Sequence, residues 1–352
     1  MDRKQLARKN AIYSIVLIVL VGIVYLYRNY VPQQAAQQVE QVGTDRMQVQ
    51  GEALGVTYQL TYIDEQRRDL TAEVEAIFQE FTEKFSIYST QSLISKWNRV
   101  DSLQVEDALW EDLFLKYEQQ RARYGKGIDP TQHALLDLWD FRAEGPVFRD
   151  STRLRELPAP GFSTLRLAHP LYVRSDTTVQ VTLHQGAKGL AVDVLADFLA
   201  EKGIQNFLIN LGSLVRAAGV NAGGELWRIA LPLPEKSAAG AAEPNFRVMA
   251  LEDASFVTIG DYTAYYTDPL GTTTAAYVHP GTGFPVQHDL VQVSVQHKGD
   301  AFTAELAAWA AFAEGKEEFL AELEADGLRT VSVRARGETR ISQQLRVYLT
   351  SE

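Results

Sequence analysis

Cysteine is absent from all 352 residues, which rules out disulfides, thiolate metal sites and a cysteine nucleophile, and leaves the redox state of the compartment open. Positive charge is scarce. With 34 Lys and Arg against 45 Asp and Glu, the net charge of -11 argues against a nucleic-acid partner. The six histidines, at 133, 169, 184, 279, 288 and 297, never adopt HxxxH or HExxH spacing, so a zinc site is not expected. The phosphate-binding patterns GxxxxGK[ST] and GxGxxG are missing, and no internal repeat is present.

One long apolar run is present, at the N-terminus. Residues 1–10 carry Arg3, Lys4, Arg8 and Lys9 against Asp2, and no charge follows from Ala11 through Tyr27. The run IYSIVLIVLVGIVYLY approaches the roughly 20 residues needed to span a bilayer, with Tyr25, Tyr27 and Tyr30 suited to an interface. No small-residue cleavage site follows Leu26, so an uncleaved anchor is expected rather than a signal peptide. The expected organisation is a cytoplasmic stretch at 1–10, a single transmembrane anchor at 11–30 and a Gln/Ala-rich tether at 31–44. The domain at 45–352 then lies on the periplasmic or extracytoplasmic side of the cytoplasmic membrane, with membrane lipid as one partner.

Within that domain the hydrophobic period changes repeatedly. MQVQGEALGVTYQLTYID alternates around glycines, as a hairpin or one bent strand would. Val74, Ile77, Phe78, Phe81 and Phe85 fall at helical spacing, and a second helix is predicted from about Glu106 to Tyr124, ending at Gly125-Lys126-Gly127. Val179, Val181 and Leu183 alternate before a helix through Leu190, Val194, Leu195, Phe198 and Leu199. With the strand Asn206 to Asn210 this reads as a β-α-β element. Further strands are predicted near 227–231, 256–259, 290–296, 331–333 and 345–348, and helices at 301–312 and 316–325.

The turn from Gln185 to Asp193 combines a helix N-terminus with Lys188 among glycines, a combination that favours an anion such as phosphate. Lys188 is read equally well as a solvated turn lysine. Gly125 to Pro130 and Pro280 to Pro285 each read as ordinary turns, and Trp309 and Phe312 as core residues.

Taken in order, however, these segments resemble one family, the ApbE family of FAD:protein FMN transferases. EALGVTY (52–58) resembles its "MGTTY" strand, with Leu54 for Met. FSIYSTQSLISKWNR (85–99) is similar to "S-x-Y-x-x-x-S-x-I-x-x-x-N", keeping Ser86, Tyr88, Ser92, Ile94 and Asn98. YGKGIDPTQHALLDLWDF resembles "GGAFDPT…LWGF", and HQGAKGLAVD resembles "GGIAKGYAVD". INLGSLVRAAG, VTIGDYTAYY and VHPGTGFPV are similar to "VNLGGDIRAIG", "ATSGDYERYF" and "IDPRTGYPV".

The resemblance implies an α+β, T-fold-related ApbE-like domain that binds FAD, uses Mg²⁺ to polarise the pyrophosphate and transfers FMN to a threonine of a flavoprotein acceptor. On that reading Leu54, Tyr88, Gly127, Ile128, Asp129, Thr182, Lys188, Asp193, Thr282 and Gly283 line the flavin nucleotide site. The Ala187 carbonyl and Glu305 hold the metal, and His279 and Asp261 are candidate catalytic groups. The family helix "A-D-A-L-A-T-A" reads AELAAWA here, with Glu305 for the Asp and Trp309, which has no oxygen, for the Thr. The second His of "HHIIDPRTG" falls on Ala276 and its Asp on His279, the Ser of "TSGDY" on Ile259, and the Asp of "DLGGIAKG" on Thr182. Three outcomes follow: an FMN transferase, an FAD hydrolase releasing FMN and AMP, or a non-catalytic flavin-binding or structural subunit of a membrane complex. The chain lacks an S/T-G-A-T acceptor sequence, so it is not expected to be flavinylated itself.

Overall fold

The computed structural model describes residues 45–132, 135, 138–142, 145–148, 161–236, 242–261, 265–267, 273–335 and 337–349. The expected cytoplasmic stretch, anchor and tether lie outside these residues. Among the described residues no helix is long and apolar enough to cross a membrane.

The scaffold is one eight-stranded sheet: β1 (Arg46–Ala53), β2 (Val56–Ile63), β3 (Phe207–Leu211), β4 (Leu214–Ala218), β7 (Ala254–Gly260), β9 (Leu290–His297), β10 (Arg329–Arg334) and β11 (Thr339–Ile341). Every neighbouring pair is antiparallel. β1 and β2 form the hairpin expected from their alternation. Its two-residue turn puts both Leu54 (φ 51°) and Gly55 (φ 76°) in the left-handed region, as a tight hairpin with strand-matching twist requires.

Helices cover one face of the sheet. α1 (Thr71–Phe85) buries Val74, Phe78, Phe81 and Phe85, the predicted apolar stripe. After the short α2 (Leu93–Trp97), α3 (Ala108–Tyr124) starts where the Asp107 side chain accepts from the Trp110 amide at 2.9 Å. Trp97, Trp110, Phe114 and Tyr172 then form a cluster with ring centroids 5.1–6.1 Å apart.

α4 (Ala187–Glu201) and α5 (Ala301–Glu314) cross beneath these elements, and α6 (Glu317–Ala325) follows. α5 is rich in alanine, buried on almost every side, and lies on β7 and β9. Its approach to α4 depends on Gly189, where an added Cβ would stand 2.6 Å from the Phe302 Cα. The opposite face carries a hairpin of β5 (Trp227–Lys236) and β6 (Ala242–Leu251). Trp227, Ile229, Leu231, Met249, Phe256 and Val331 make a second apolar layer there.

Two sequence expectations are corrected. Val179 to Leu183 is not a strand, and no β-α-β unit forms, because its backbone bonds go elsewhere. Asn98 brackets Val181, donating to its carbonyl and accepting from its amide at 2.7 Å each, and the Thr182 amide donates to Pro130 O at 2.6 Å. A single bridge, Gln132 to Gln180, is all that remains of strand pairing. The predicted strand near 345–348 begins instead as a helical turn, α7 (Gln343–Arg346). It is wound so that Leu345 is buried beneath the second apolar layer.

Candidate functional site

The loop after α3 meets the start of α4 at a fully buried glutamine. Gln185 accepts from the Asp129 amide at 2.9 Å and from the Tyr117 hydroxyl at 3.3 Å. It donates to Gly127 O at 3.1 Å and to the Tyr277 Oη at 2.5 Å. Tyr277, on β8 (Thr273–Val278), in turn donates to Gly127 O at 3.1 Å. Three separate stretches of chain, 117–129, 185 and 277, thus meet at one side chain, every polar end of which is used. Burial pushes the Tyr117 and Tyr277 hydroxyls well above the usual tyrosine range, so both remain neutral donors.

Asp129 is buried, and it works within its own loop. Oδ1 accepts from the Thr131 amide at 2.9 Å and the Thr131 hydroxyl at 2.5 Å, while Oδ2 pairs with Arg121 at 3.3 Å. Ile128 is fully buried beside it, and Gly127 packs on α5, where a Cβ would stand 3.1 Å from Ala310 Cα. Thr182 is buried and its hydroxyl accepts from the His184 amide at 3.2 Å. Through Asn98, the segment carrying Tyr88 is fastened to this turn, and Tyr88 itself stands 92% exposed.

The anion expected at the N-terminus of α4 is supplied by the protein itself. Glu305, on α5 and entirely buried, accepts from the Gly189 amide through Oε2 at 2.6 Å. Its other oxygen, Oε1, has no hydrogen-bond partner, and neither has the buried Nε1 of Trp309 one helical turn away. Burial raises the Glu305 carboxyl above the usual range. The charge of Lys188 and the Gly189 amide pull it back. Lys188 is half-buried in the first turn of α4, which Ala187 opens. The Trp309 ring lies 4.9 Å from Tyr277 and 5.2 Å from His184, centroid to centroid, so it packs between those two rings.

Asp193, half a helix further on, spends its carboxylate on α5. Oδ1 accepts from the Ala301 amide at 2.7 Å and Oδ2 from Phe302 at 2.9 Å, and Arg216 closes an ion pair. Burial pushes Asp193 up to about 6 against the opposing pull of Arg216 and those amides.

The sequence profile of the ApbE family matches residues 54–332. The chain belongs to the ApbE family. Similar proteins include the FAD:protein FMN transferase of Vibrio cholerae, 26% identical over 303 residues (82% of this chain, 87% of that one). That of Haemophilus influenzae is 28% identical over 268 residues (72% and 76%). The fold is likewise that of the flavin transferase ApbE from Vibrio cholerae (TM-score 0.75, 24% identity, 86% of this chain and 100% of that one). It also matches the apo Pseudomonas stutzeri flavinyl transferase ApbE (TM-score 0.76, 23% identity, 87% and 98%).

The structure gathers part of the expected ApbE site and disperses the rest. Gly127, Ile128, Asp129, Thr182, Ala187, Lys188 and Glu305 converge around Gln185. His279, Thr282 and Gly283 belong to a turn at the far end of α5. There His279 and Thr282 line a cleft of about 770 Å³ with Trp139, Phe284, His288 and Glu314. Asp261 lines a different cleft, of about 600 Å³, beneath the β5–β6 hairpin and on the face of the sheet away from α5. Leu54 sits at the tip of the β1–β2 turn. Gln185, Tyr117 and Tyr277 were missed by sequence reasoning. The available signal was a glutamine where the ApbE pattern has a second glycine, and a tyrosine where it has isoleucine.

The histidines of the region carry a pH dependence. His288 lies 2.8 Å from Phe312 O through Nε2, which therefore holds the proton, and its Nδ1 is buried without a partner. Burial lowers the pKa of the half-buried His279 and His288, and burial by its neighbours with the charge of Lys188 lowers that of His184, although His184 as a whole residue is exposed. Groups held neutral in this way contribute stability that is present above about pH 6.5 and lost as pH falls through their lower folded values. Urea midpoints are therefore expected to decline below pH 6.5, and His288→Gln to flatten that decline by one proton's worth. An unchanged slope in the variant would remove His288 from this role.

Proposed function

We propose that this chain keeps a flavin-binding ApbE cleft but does not carry out Mg²⁺-dependent FMN transfer, and that it serves as a membrane-anchored, non-catalytic subunit or partner of a membrane complex. The observation that carries this reading is the environment of Glu305. Mg²⁺ demands near-octahedral oxygen coordination. The residues at hand offer one unpartnered carboxylate oxygen and the Ala187 carbonyl, while Trp309, one turn along α5 from Glu305, has only an N–H donor and no oxygen to give. The donor set does not fit the ion, and Glu305 is engaged instead as an anionic cap on α4. The exposed Tyr88, the Leu54 turn and the Lys188 turn support retention of a flavin site. The apolar run at 11–30 supports anchoring, with the domain outside the cytoplasmic membrane.

The test uses the full chain, recovered from the membrane fraction and purified in detergent. Incubated with FAD and Mg²⁺, it is expected to release no AMP above background by chromatography, while flavin fluorescence is quenched on binding. AMP production that disappears in Glu305→Ala would sink the proposal and establish transferase or hydrolase chemistry.

A further inference from the structure

We propose that the cleft at the C-terminal end of α5 binds a guanidinium group carried on an apolar stem, as in an arginine side chain, between the Glu314 carboxylate and the Phe284–Trp139 ring pair. This cleft, of about 770 Å³, begins eight residues and so roughly 12 Å along α5 from Glu305, and no member of the Gln185 cluster lines it. The site does not depend on the flavin-binding reading.

Ala313, Glu314 and Gly315 bring the last turn of α5 to the wall of the cleft, where the helix dipole is negative. A carboxylate at that end adds to the negative potential, and the groups around it satisfy it poorly. Oε2 of Glu314 meets the Lys316 ammonium at 2.8 Å, but that lysine is 66% exposed and water competes for it. Oε1 faces the His279 Nε2 at 3.9 Å, beyond hydrogen-bond reach. His279 supplies no positive charge in compensation. Its Nδ1 accepts from the Gly281 amide at 3.0 Å, so the neutral ring holds its proton at Nε2, and burial lowers its pKa. A net charge of -11 over the whole chain further favours a cation.

Aromatic surface borders the same space. Trp139 donates through Nε1 to Gly283 O at 3.0 Å, which fixes the indole on the turn, and the Phe284 ring meets it at 6.0 Å with planes 64° apart. Phe284 lines the cleft and is 49% exposed, so its ring is open to a ligand. His279 ties the two walls together: its amide donates to Phe284 O at 2.9 Å while its ring reaches toward Glu314. An open ring beside a carboxylate with an unused oxygen suits a guanidinium, which is planar, weakly hydrated and able to stack on an aromatic face while its N–H groups meet the carboxylate.

n-Butylguanidinium, its neutral counterpart n-butylurea and the blocked peptide acetyl-Gly-Arg-Gly-amide are titrated separately into the detergent-purified full chain at neutral pH and low ionic strength, and binding is followed by calorimetry. The guanidinium is expected to bind at least about 10-fold more tightly than the urea. Glu314→Gln should abolish that preference. Phe284→Ala should weaken the guanidinium about 3-fold, and Lys316→Ala, which removes the competing cation, should tighten it by a similar factor. Thermal melting confirms that each variant is folded. Peptide binding as tight as that of the small guanidinium identifies a partner protein's arginine as the source, whereas exclusion of the peptide identifies a free guanidinium compound, and either result retains the site. Equal binding of urea and guanidinium, no binding of either, or a preference that survives Glu314→Gln would overturn the inference.

Discussion

Asp193→Ala is expected to cost about 3–5 kcal/mol at neutral pH, the range for breaking a buried ion pair. The carboxylate receives the first two amides of α5 and the Arg216 guanidinium, so truncation strands three donors together at the contact between α4 and α5. At roughly 2 °C for each kcal/mol in a domain of this size, Tm should fall by roughly 6–10 °C. Asp193→Asn retains one acceptor and should lose less. The pH dependence has a definite sign. Because the folded carboxyl, pushed up to about 6, holds its proton more firmly than an unfolded one, a proton-linked part is added to those contacts that is fullest below about pH 4 and lost as pH rises through 6. Asp193→Asn removes that component. If Asp193→Ala melted within a degree of wild type, the carboxylate would not be fastening α5.

The paired replacement Glu305→Asp with Trp309→Thr is expected to confer Mg²⁺ binding that the wild-type chain lacks. Shortening residue 305 by one methylene draws the carboxylate back from the Gly189 amide, and threonine supplies a hydroxyl oxygen four residues along, on the same helix face. The variant loses the indole packing against Tyr277 and His184, and without metal it should be destabilised by about 3 kcal/mol or more. Saturating metal offsets much of this: at 100 times Kd the linkage is about 2.7 kcal/mol. Addition of 10 mM MgCl₂, on the order of that excess for a sub-millimolar site, should therefore raise the variant's Tm by roughly 5 °C and leave wild type unmoved. An equal rise in the wild-type chain would show that Glu305 already coordinates the ion, and the proposed loss of metal chemistry would fall.

Much of the fold was legible because it is written in local pattern. The stripe Val74, Phe78, Phe81, Phe85 made α1 visible, and alternation around Leu54-Gly55 made the first hairpin visible. Val179 to Leu183 misled because alternation alone does not form a strand. Backbone groups there are satisfied by Asn98 and Pro130, and no local pattern reveals that partnership. The same limit applied to the site. Lys188 and the glycine turn were recognisable as a place for an anion, but the carboxylate that fills it comes from a residue 116 positions away from Gly189.

By itself the sequence determined the class of domain, the order of its family-like blocks, the apolar N-terminal run and the tryptophan at 309 where the ApbE pattern has threonine, since each is a matter of composition, spacing or residue identity. Only the tertiary structure decided that Glu305 caps α4, that Gln185 joins the Asp129 loop to Tyr277, and that Asp193 serves α5. Each of those outcomes depends on which buried polar groups meet across the core. A buried donor or acceptor costs free energy until it finds a partner, and the partner is chosen by packing in three dimensions.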